Sequence, residues 1–311
     1  MNPVLSHELK TFLEEFVPEH VEELVESYSK PLPETFRVNT LKTSVDECIQ
    51  LLKEEEGVEA RPVEWLKCGF YAEPPGRLSS SLWHMLGLIY MQGPVSMLVA
   101  ELLDVEPGHK VLDLCAAPGS KSTHIAQKLE GKGVLIANDI SRTRVKALSS
   151  NLQRCGAINS IISLADGRRL GWKLQNFFDR VLVDAPCSSL GVGARHWNVL
   201  NKWSQRYSER LGALQRSLLF SGYMGLKPSG ILVYATCTFH PLENEAVVSE
   251  LLERFEDAVC LETHVEGLSF SRGVEEWRGW RFNEGVKKTL RVYPHQTGAE
   301  GFYIAKITKQ A

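Results

Sequence analysis

Asp179-Arg-Val-Leu-Val-Asp-Ala-Pro-Cys-Ser-Ser-Leu190 is the stretch on which the reading of this 311-residue chain turns. Val181, Leu182 and Val183 form a short apolar run without alternation, the pattern of a strand buried on both faces of a parallel sheet. Asp184 closes the run. Pro186 has no N–H for a ladder, so the chain leaves the sheet there and carries Cys187 into the loop beyond the strand's carboxyl end. In open α/β sheets ligands bind outside those ends. A carboxylate and a thiol three residues apart at such a place suit chemistry on a ring that gains and loses protons while a sulfur approaches. The plain alternative is a small apolar Cys in a turn. A second strand ending, Gly230-Ile-Leu-Val-Tyr-Ala-Thr-Cys-Thr238, weighs against it, because Cys237 then reaches the same rim as Cys187.

Working outward, the alternation of apolar runs with helical patterns defines an α/β fold with a doubly wound, Rossmann-like sheet. Strands are expected at Lys110–Leu114, Val134–Asn138, Ser160–Leu164, Val181–Val183 and Ile231–Tyr234. Helices are expected at Ser122–Leu129, Arg142–Arg154, about Tyr207–Leu226 and Pro241–Phe255. Leu290–Tyr293 and Phe302–Ile307 read as two last strands, antiparallel to each other at one edge. Upstream, residues 1–30 read as two short amphipathic packing helices. Residues 31–86 form a small α+β module, in which Thr35–Leu41 alternates like a half-buried strand and Ser44 caps a helix. Its Arg37 and Asn39 either face a substrate or decorate a solvated strand. Residues 87–311, entered through the apolar run Leu88–Met91, form the main domain.

An apolar content of 43% and a charged content of 23% are those of a globular protein. No apolar run approaches the roughly 20 residues that span a bilayer, and no signal peptide is evident, so a cytoplasmic protein without membrane contact is expected. The seven cysteines are scattered and never form Cys-x-x-Cys, which argues against a disulfide framework or structural zinc; no metal is expected. A net charge of −3 leaves any nucleic-acid binding to a local basic patch.

After the first main-domain strand comes Asp113-Leu-Cys-Ala-Ala-Pro-Gly119-Ser-Lys-Ser. Ala116, Ala117 and Gly119 let backbone approach a ligand closely, and the helix beginning near Ser120 offers free N–H groups. The segment matches neither a Walker loop nor Gly-x-Gly-x-x-Gly, so it does not cradle phosphates. Asp139 after the second strand suits a ribose diol, and Asp166 after the third lies where an adenine amine would sit. Acidic strand ends in register favour S-adenosylmethionine, a nucleoside without phosphates.

Together with Glu243-Asn-Glu245, Arg291-Val-Tyr-Pro-His295 and Gly301-Phe-Tyr, these boxes resemble the Sun (NSUN-type, Fmu-like) family of RNA cytosine-5 methyltransferases over nearly the whole chain. Phe36-Arg-Val-Asn-Thr-Leu-Lys42 resembles the family's RNA-recognition-like amino-terminal module. The resemblance implies a class I methyltransferase domain, S-adenosylmethionine as cofactor, and a tRNA or rRNA substrate; a monomer is expected. It assigns Cys237 as nucleophile, Cys187 to product release, Asp184 to the target base, and Lys121 to the same site. Cys115, Ala116, Ala117, Pro118, Gly119, Lys121, Asp139, Arg144, Asp166 and Asp184 would hold the cofactor. The chain departs from the family in two segments. Members often carry an acid in the segment matching Gln92-Gly-Pro-Val95, and a basic, proline-containing loop where this chain has Gly193–Trp203.

Cytosine C5 is a poor nucleophile until a thiolate adds to C6, and a duplex must open or flip the base to expose it. Arg168, Arg169, Arg195, Lys202 and Arg206, with Trp197 and Trp203 interleaved, are candidates for a phosphate-contacting and base-stacking rim. Two other readings stand beside this one. A DNA cytosine-5 methyltransferase shares the C6 attack but uses the Pro-Cys thiol and has no Thr-Cys box. A non-enzymatic RNA-binding or ribosome-assembly factor with a vestigial methyltransferase fold would show damaged motifs, which are intact here.

Overall fold

The computed structural model describes residues 4–311; residues 1–3 of the expected N-terminal helical segment lie outside the described residues. The described chain begins with α1 (His7–Phe16) and α2 (Val21–Ser27). The Ser6 side chain accepts from the Leu9 N–H, which starts α1 and leaves Leu9, Phe12 and Leu13 on its buried face. That face does not close a core of its own. Leu9, Phe12, Leu24 and Tyr28 share one cluster with Leu190, Leu200, Phe239 and Tyr293, so both helices brace the loops that follow the two cysteine strands.

The next segment holds β1 (Thr35–Val38), α3 (Val45–Glu56), β2 (Glu59–Pro62), β3 (Gly69–Glu73), α4 (Leu82–Met85) and β4 (Ile89–Met91). Its sheet is antiparallel in the order β2-β3-β1-β4. β4 lies past the expected boundary at residue 86, so the apolar run read as a lead-in to the main domain is a strand of the small sheet. Phe36 pairs with Met91 and Val38 with Ile89; pairing between such distant segments leaves no local signal. β1 also corrects the expected half-buried alternation, since all four residues are buried. Phe36 and Val38 pack with Cys48 and Leu52 of α3. Arg37, fully buried, donates to Gln92 Oε1 (3.3 Å), Thr123 Oγ1 (2.9 Å) and Gln127. Asn39 donates to the carbonyls of Gly87 and Cys155, at 2.7 and 2.9 Å. Both residues therefore bind the module to the main domain and neither faces a substrate or solvent.

The main domain runs α5 (Pro94–Glu101), β5 (Lys110–Asp113), α6 (Ser120–Leu129), β6 (Val134–Asn138), α7 (Arg142–Arg154), β7 (Ser160–Ser163), α8 (Gly167–Lys173) and β8 (Phe178–Asp184). It continues through α9 (Trp197–Lys202), α10 (Gln205–Gly225), β9 (Leu226–Thr236) and α11 (Glu245–Arg254). The last elements are β10 (Ala258–Cys260), β11 (Ser271–Arg272), β12 (Glu276–Trp277), β13 (Trp280–Arg281), β14 (Leu290–Val292), α12 (Pro294–Thr297) and β15 (Phe302–Lys309).

The large sheet has the order β11-β14-β15-β9-β8-β5-β6-β7, with β5 to β9 mutually parallel. Val95, Leu98, Ile125, Leu129, Leu148 and Leu152 cover one face. Leu218, Leu219, Tyr223, Val248 and Leu251 cover the other, the arrangement expected of a doubly wound domain. From β5 the chain steps outward to β7 and then returns to β8 on the other side, so the switch point lies between β5 and β8. The two last strands are antiparallel as expected, but β15 is internal. It pairs with β9 on one side and with β14 and β10 on the other, and β11 takes the edge. Its near-continuous burial from Phe302 to Ala305 is that of a central strand. Among the described residues, no helix is long and apolar enough to cross a membrane.

Candidate active site

The parallel register of β8 and β9 sets Asp184 level with Ala235, so both strands end at one height and release their loops side by side. Cys187 Sγ and Cys237 Sγ lie 3.1 Å apart as free thiols. Ser189, held in the left-handed region at φ 60°, turns its hydroxyl to 3.5 Å from Cys237 Sγ and 3.9 Å from Cys187 Sγ. The two sulfurs divide their protons unequally. The contact with Cys187, aided by Ser189 and Lys121, pulls the Cys237 thiol down against its burial. The same sulfur contact, burial, and the Cys237 and Glu243 charges push Cys187 up. Cys237 is thus the more acidic of the two sulfurs.

A buried polar frame fixes both loops. Glu243, fully buried, accepts from the Ser188 N–H (2.9 Å), Gln215 Nε2 (3.0 Å) and Ser208 Oγ (2.7 Å). Ser188 Oγ and Thr238 Oγ1 are 2.9 Å apart, linking one loop to the other. Asn244 accepts from Thr236 Oγ1 at 2.6 Å and donates to the Thr238 carbonyl at 3.0 Å. Ser189, Ser208 and Gln215 were not singled out by sequence reasoning. The Ser-Ser pair after the Pro-Cys box was the one signal that could have indicated Ser189.

Lys121, on the first turn of α6, is almost fully buried, and its ammonium reaches Asp184 Oδ2 at 2.7 Å. Burial works against that charge, and Asp184 more than restores it, so the lysine pKa is raised. The Lys121 ammonium also sits 5.2 Å from the Phe302 ring. Of the residues expected in the site, Cys187, Cys237, Asp184 and Lys121 thus come together.

Four of the remaining expected residues line a cavity of about 260 Å³ at the switch point, and Ala116, Ala117, Pro118 and Gly119 do not. Cys115, Asp139, Arg144 and Asp166 line it, and Pro186 joins it to the thiol loop. Ala116, Ala117, Pro118 and Gly119 form the turn between β5 and α6. Gly119 has φ +109°, where a side chain is strained, and an added Cβ would lie 3.1 Å from Leu148. Asp139 accepts from the N–H groups of Ser141 (2.9 Å) and Ala117 (3.3 Å), with Arg144 Nη1 at 3.4 Å. Arg144 also donates to the Ala117 carbonyl. Asp166 caps α8 through the Arg168 N–H (3.0 Å) and is gripped by the Arg168 guanidinium, as close as 2.7 Å.

S-adenosylmethionine fits these residues. Leu114, Ile140, Leu214 and Leu218 offer apolar walls for a purine. The Asp139 carboxylate, with part of its roughly four acceptor positions used, is at hand for a diol. The volume is near the lower end of small-molecule sites, roughly 300–1,000 Å³.

The expected stacking rim is corrected at one residue. Trp203 is buried, its indole N–H donating to Ser208 Oγ at 2.9 Å and its ring 5.3 Å from Phe12. Spacing showed an aromatic in a basic loop and could not show that α1 packs over it. Trp197 stays 41% exposed and Arg195 half-exposed.

A parallel sheet with a switch-point nucleoside cavity, acidic strand ends and no phosphate loop defines a class I methyltransferase that uses S-adenosylmethionine. The comparisons give the family. A family described as 16S rRNA methyltransferase RsmB/F matches residues 100–308, and the N-terminal domain of 16S rRNA methyltransferase RsmF matches residues 5–94. The chain belongs to this RsmB/F methyltransferase family. The tRNA (cytosine(49)-C(5))-methyltransferase of Pyrococcus abyssi is 41% identical over 282 residues, covering 90% of this chain and 89% of that protein. The ribosomal RNA small subunit methyltransferase F of Vibrio atlanticus is 38% identical, covering 100% of this chain and 65% of its own length. The chain thus spans slightly under two-thirds of that bacterial enzyme. Among solved structures, a methyltransferase homologue from Pyrococcus horikoshii is 35% identical with a TM-score of 0.83, over 96% of this chain and 93% of that one. NSun6 from the same organism, crystallised with SFG, is 25% identical with a TM-score of 0.84, over 98% of both chains.

Proposed function

We propose that this protein methylates C5 of a cytosine in tRNA or rRNA in the cytoplasm, and that Cys237 forms a covalent bond to C6 during the reaction. The observation that carries the proposal is the pair of thiols 3.1 Å apart, bordered by the Lys121–Asp184 pair and by the cofactor cavity. When bound there, S-adenosylmethionine supplies an electrophilic methyl group. The Cys237 thiolate would add to C6 as a proton passes from the Lys121 ammonium by way of Asp184 to N3, which makes C5 electron-rich enough to take that methyl, the electron pair of the broken S–C bond staying on the donor's sulfur. Lys121 keeps Asp184 oriented and places a positive charge beside the ring. The C5 proton then leaves to water as the C6–S bond breaks; the electron pair returns to the Cys237 sulfur, to which the Cys187 thiol donates a hydrogen bond, N3 gives its proton back, and aromaticity is restored. The depressed Cys237 and elevated Cys187 pKa values support this division and weigh against the DNA-type assignment to the Pro-Cys thiol.

Labelled methyl transfer to tRNA, rRNA and DNA tests the reading. The relative matched over nine-tenths of both lengths acts on tRNA, which makes tRNA the first substrate to try. Methylation of DNA alone would overturn the proposal.

Asp139→Ala is expected to weaken S-adenosylmethionine binding by about 1.5 to 3 kcal/mol, the scale of hydrogen bonds to a charged group. The substitution also frees the Ala117 and Ser141 N–H groups. Calorimetry on the folded variant checks this, and an unchanged affinity removes Asp139 from the site. The thiol pair predicts a pH dependence too. The reactive form is the thiolate, so kcat/KM rises with pH; with Cys237 lowered, the rise levels off below the ordinary thiol value of about 8.5. A limb still climbing above that value would show that Cys237 is not activated.

A further inference from the structure

Gly93 and the 193–203 loop, far apart in sequence, meet at Glu300. Glu300 lies in the turn before β15 and is 3% exposed. Its carboxylate fills the space where residue 93 would carry a side chain: a Cβ built on Gly93 would lie 1.2 Å from Glu300 Oε1. Gly93 is not needed for its backbone, which has φ −70° and ψ 151°, a conformation open to any residue. Its lack of a side chain serves to admit Glu300.

On its other side Glu300 faces Arg195 of the 193–203 loop, with Nη2 3.6 Å from Oε1. That separation exceeds a hydrogen bond, and the buried Oε2 has no hydrogen-bond partner among the described residues. The pair is slack, with an acceptor waiting for a closer guanidinium. Burial leaves the Glu300 pKa raised above the usual carboxylate value, an effect that the Arg195 charge, the Glu300 and Val95 N–H groups and Lys121 offset in part. The same turn is tied to the reacting thiol. The Gly301 N–H donates to the Gly191 carbonyl at 2.8 Å, and the Gly191 N–H donates to the Cys237 carbonyl at 2.9 Å. An added Cβ on Gly191 would meet Gly301 O at 2.2 Å, so this contact is close-packed.

We propose that Glu300 is a substrate-positioning residue that holds Arg195, and with it the 193–203 loop, where Arg195 meets an RNA phosphate beside the base entering the thiol site. The inference rests on the RNA methyltransferase reading above. It links the space left open at Gly93 to the loop that carries Arg195, through an acid from the far end of the chain.

The test uses the full chain and an RNA that it methylates. If the wild-type protein methylates no RNA, the functional reading fails before this proposal is reached. If it does, Glu300→Gln and Arg195→Ala are each expected to raise KM for RNA about tenfold, with kcat within about twofold and S-adenosylmethionine affinity unchanged. Both should flatten the dependence of log KM on log salt by about one phosphate contact, and the double variant should be no worse than either single one. A purely structural Glu300 would not move the salt slope. Glu300→Gly should show the same defect, and adding Gly93→Glu should restore KM, because the carboxylate returns from the neighbouring backbone. An unchanged KM in Glu300→Gln, additive defects, or a loss confined to kcat overturns the proposal. Should the Glu300 variants fail to fold, the exposed Arg195→Ala decides it by the same KM and salt readouts.

Discussion

Cys237→Ala is expected to give no methylated RNA and no covalent protein–RNA adduct, whereas Cys187→Ala is expected to accumulate an adduct that survives denaturing electrophoresis. The two thiols are 3.1 Å apart, so distance alone does not distinguish them. Their proton distribution does. The contact with Cys187, with help from Ser189, lowers the Cys237 pKa, which makes Cys237 the nucleophile we propose for C6. Removing it removes the bond that makes C5 nucleophilic, and the loss should reach the several orders of magnitude typical of a deleted nucleophile. Cys187, whose pKa is pushed up, acts after methyl transfer in the proposed mechanism as a hydrogen-bond donor to the departing sulfur, so its loss should block release and leave the C6–S bond in place. The adduct in Cys187→Ala should require S-adenosylmethionine. An inert Cys187→Ala together with an adduct in Cys237→Ala would move the nucleophile to the Pro-Cys box. Two variants with wild-type turnover would make both thiols packing residues.

Glu245→Ala is expected to destabilise the fold by about 3 to 5 kcal/mol, the cost of stranding one member of a buried ion pair. Arg291 is 1% exposed and Glu245 fully buried. The guanidinium grips Glu245 in a two-pronged contact, with Nε 2.5 Å from Oε1 and Nη2 on Oε2. Burial opposes the Arg291 charge, and Glu245 and the tyrosine hydroxyls around it more than restore it, so the pKa is raised. The remaining Nη1 donates to the Phe239 carbonyl at 2.8 Å, just beyond the Cys237 loop. Denaturant unfolding of Glu245→Ala measures the effect, and a loss below about 1 kcal/mol would show that the pair is dispensable. Replacing both residues by apolar ones of similar volume should recover much of the stability. Activity should not recover with it, since Phe239 O loses its anchor.

Each cysteine box was legible because it follows a non-alternating buried run, and a Pro or Thr marks where the ladder stops. Strand, exit and thiol are then all local facts. The doubly wound sheet followed from the order of such runs, and Asp139 and Asp166 were legible as strand ends. What the sequence did not disclose depends on contacts between distant segments. Arg37 looked like a polar residue on a half-exposed strand, because Gln92, Thr123 and Gln127, which satisfy it, lie on other elements. Trp203 looked like a stacking surface until α1 was placed over it. β15 reads the same locally whether it is an edge or is paired on both sides. Glu300 gave no signal at all, since its meaning depends on Gly93 being empty and Arg195 being near. The chain alone determined the fold class, the cofactor class and the two thiols, because those follow from periodicity and strand endings. Tertiary structure decided which polar residues serve the seams, how near the two sulfurs lie and which acid faces the 193–203 loop, because burial and electrostatics act through space and not along the chain.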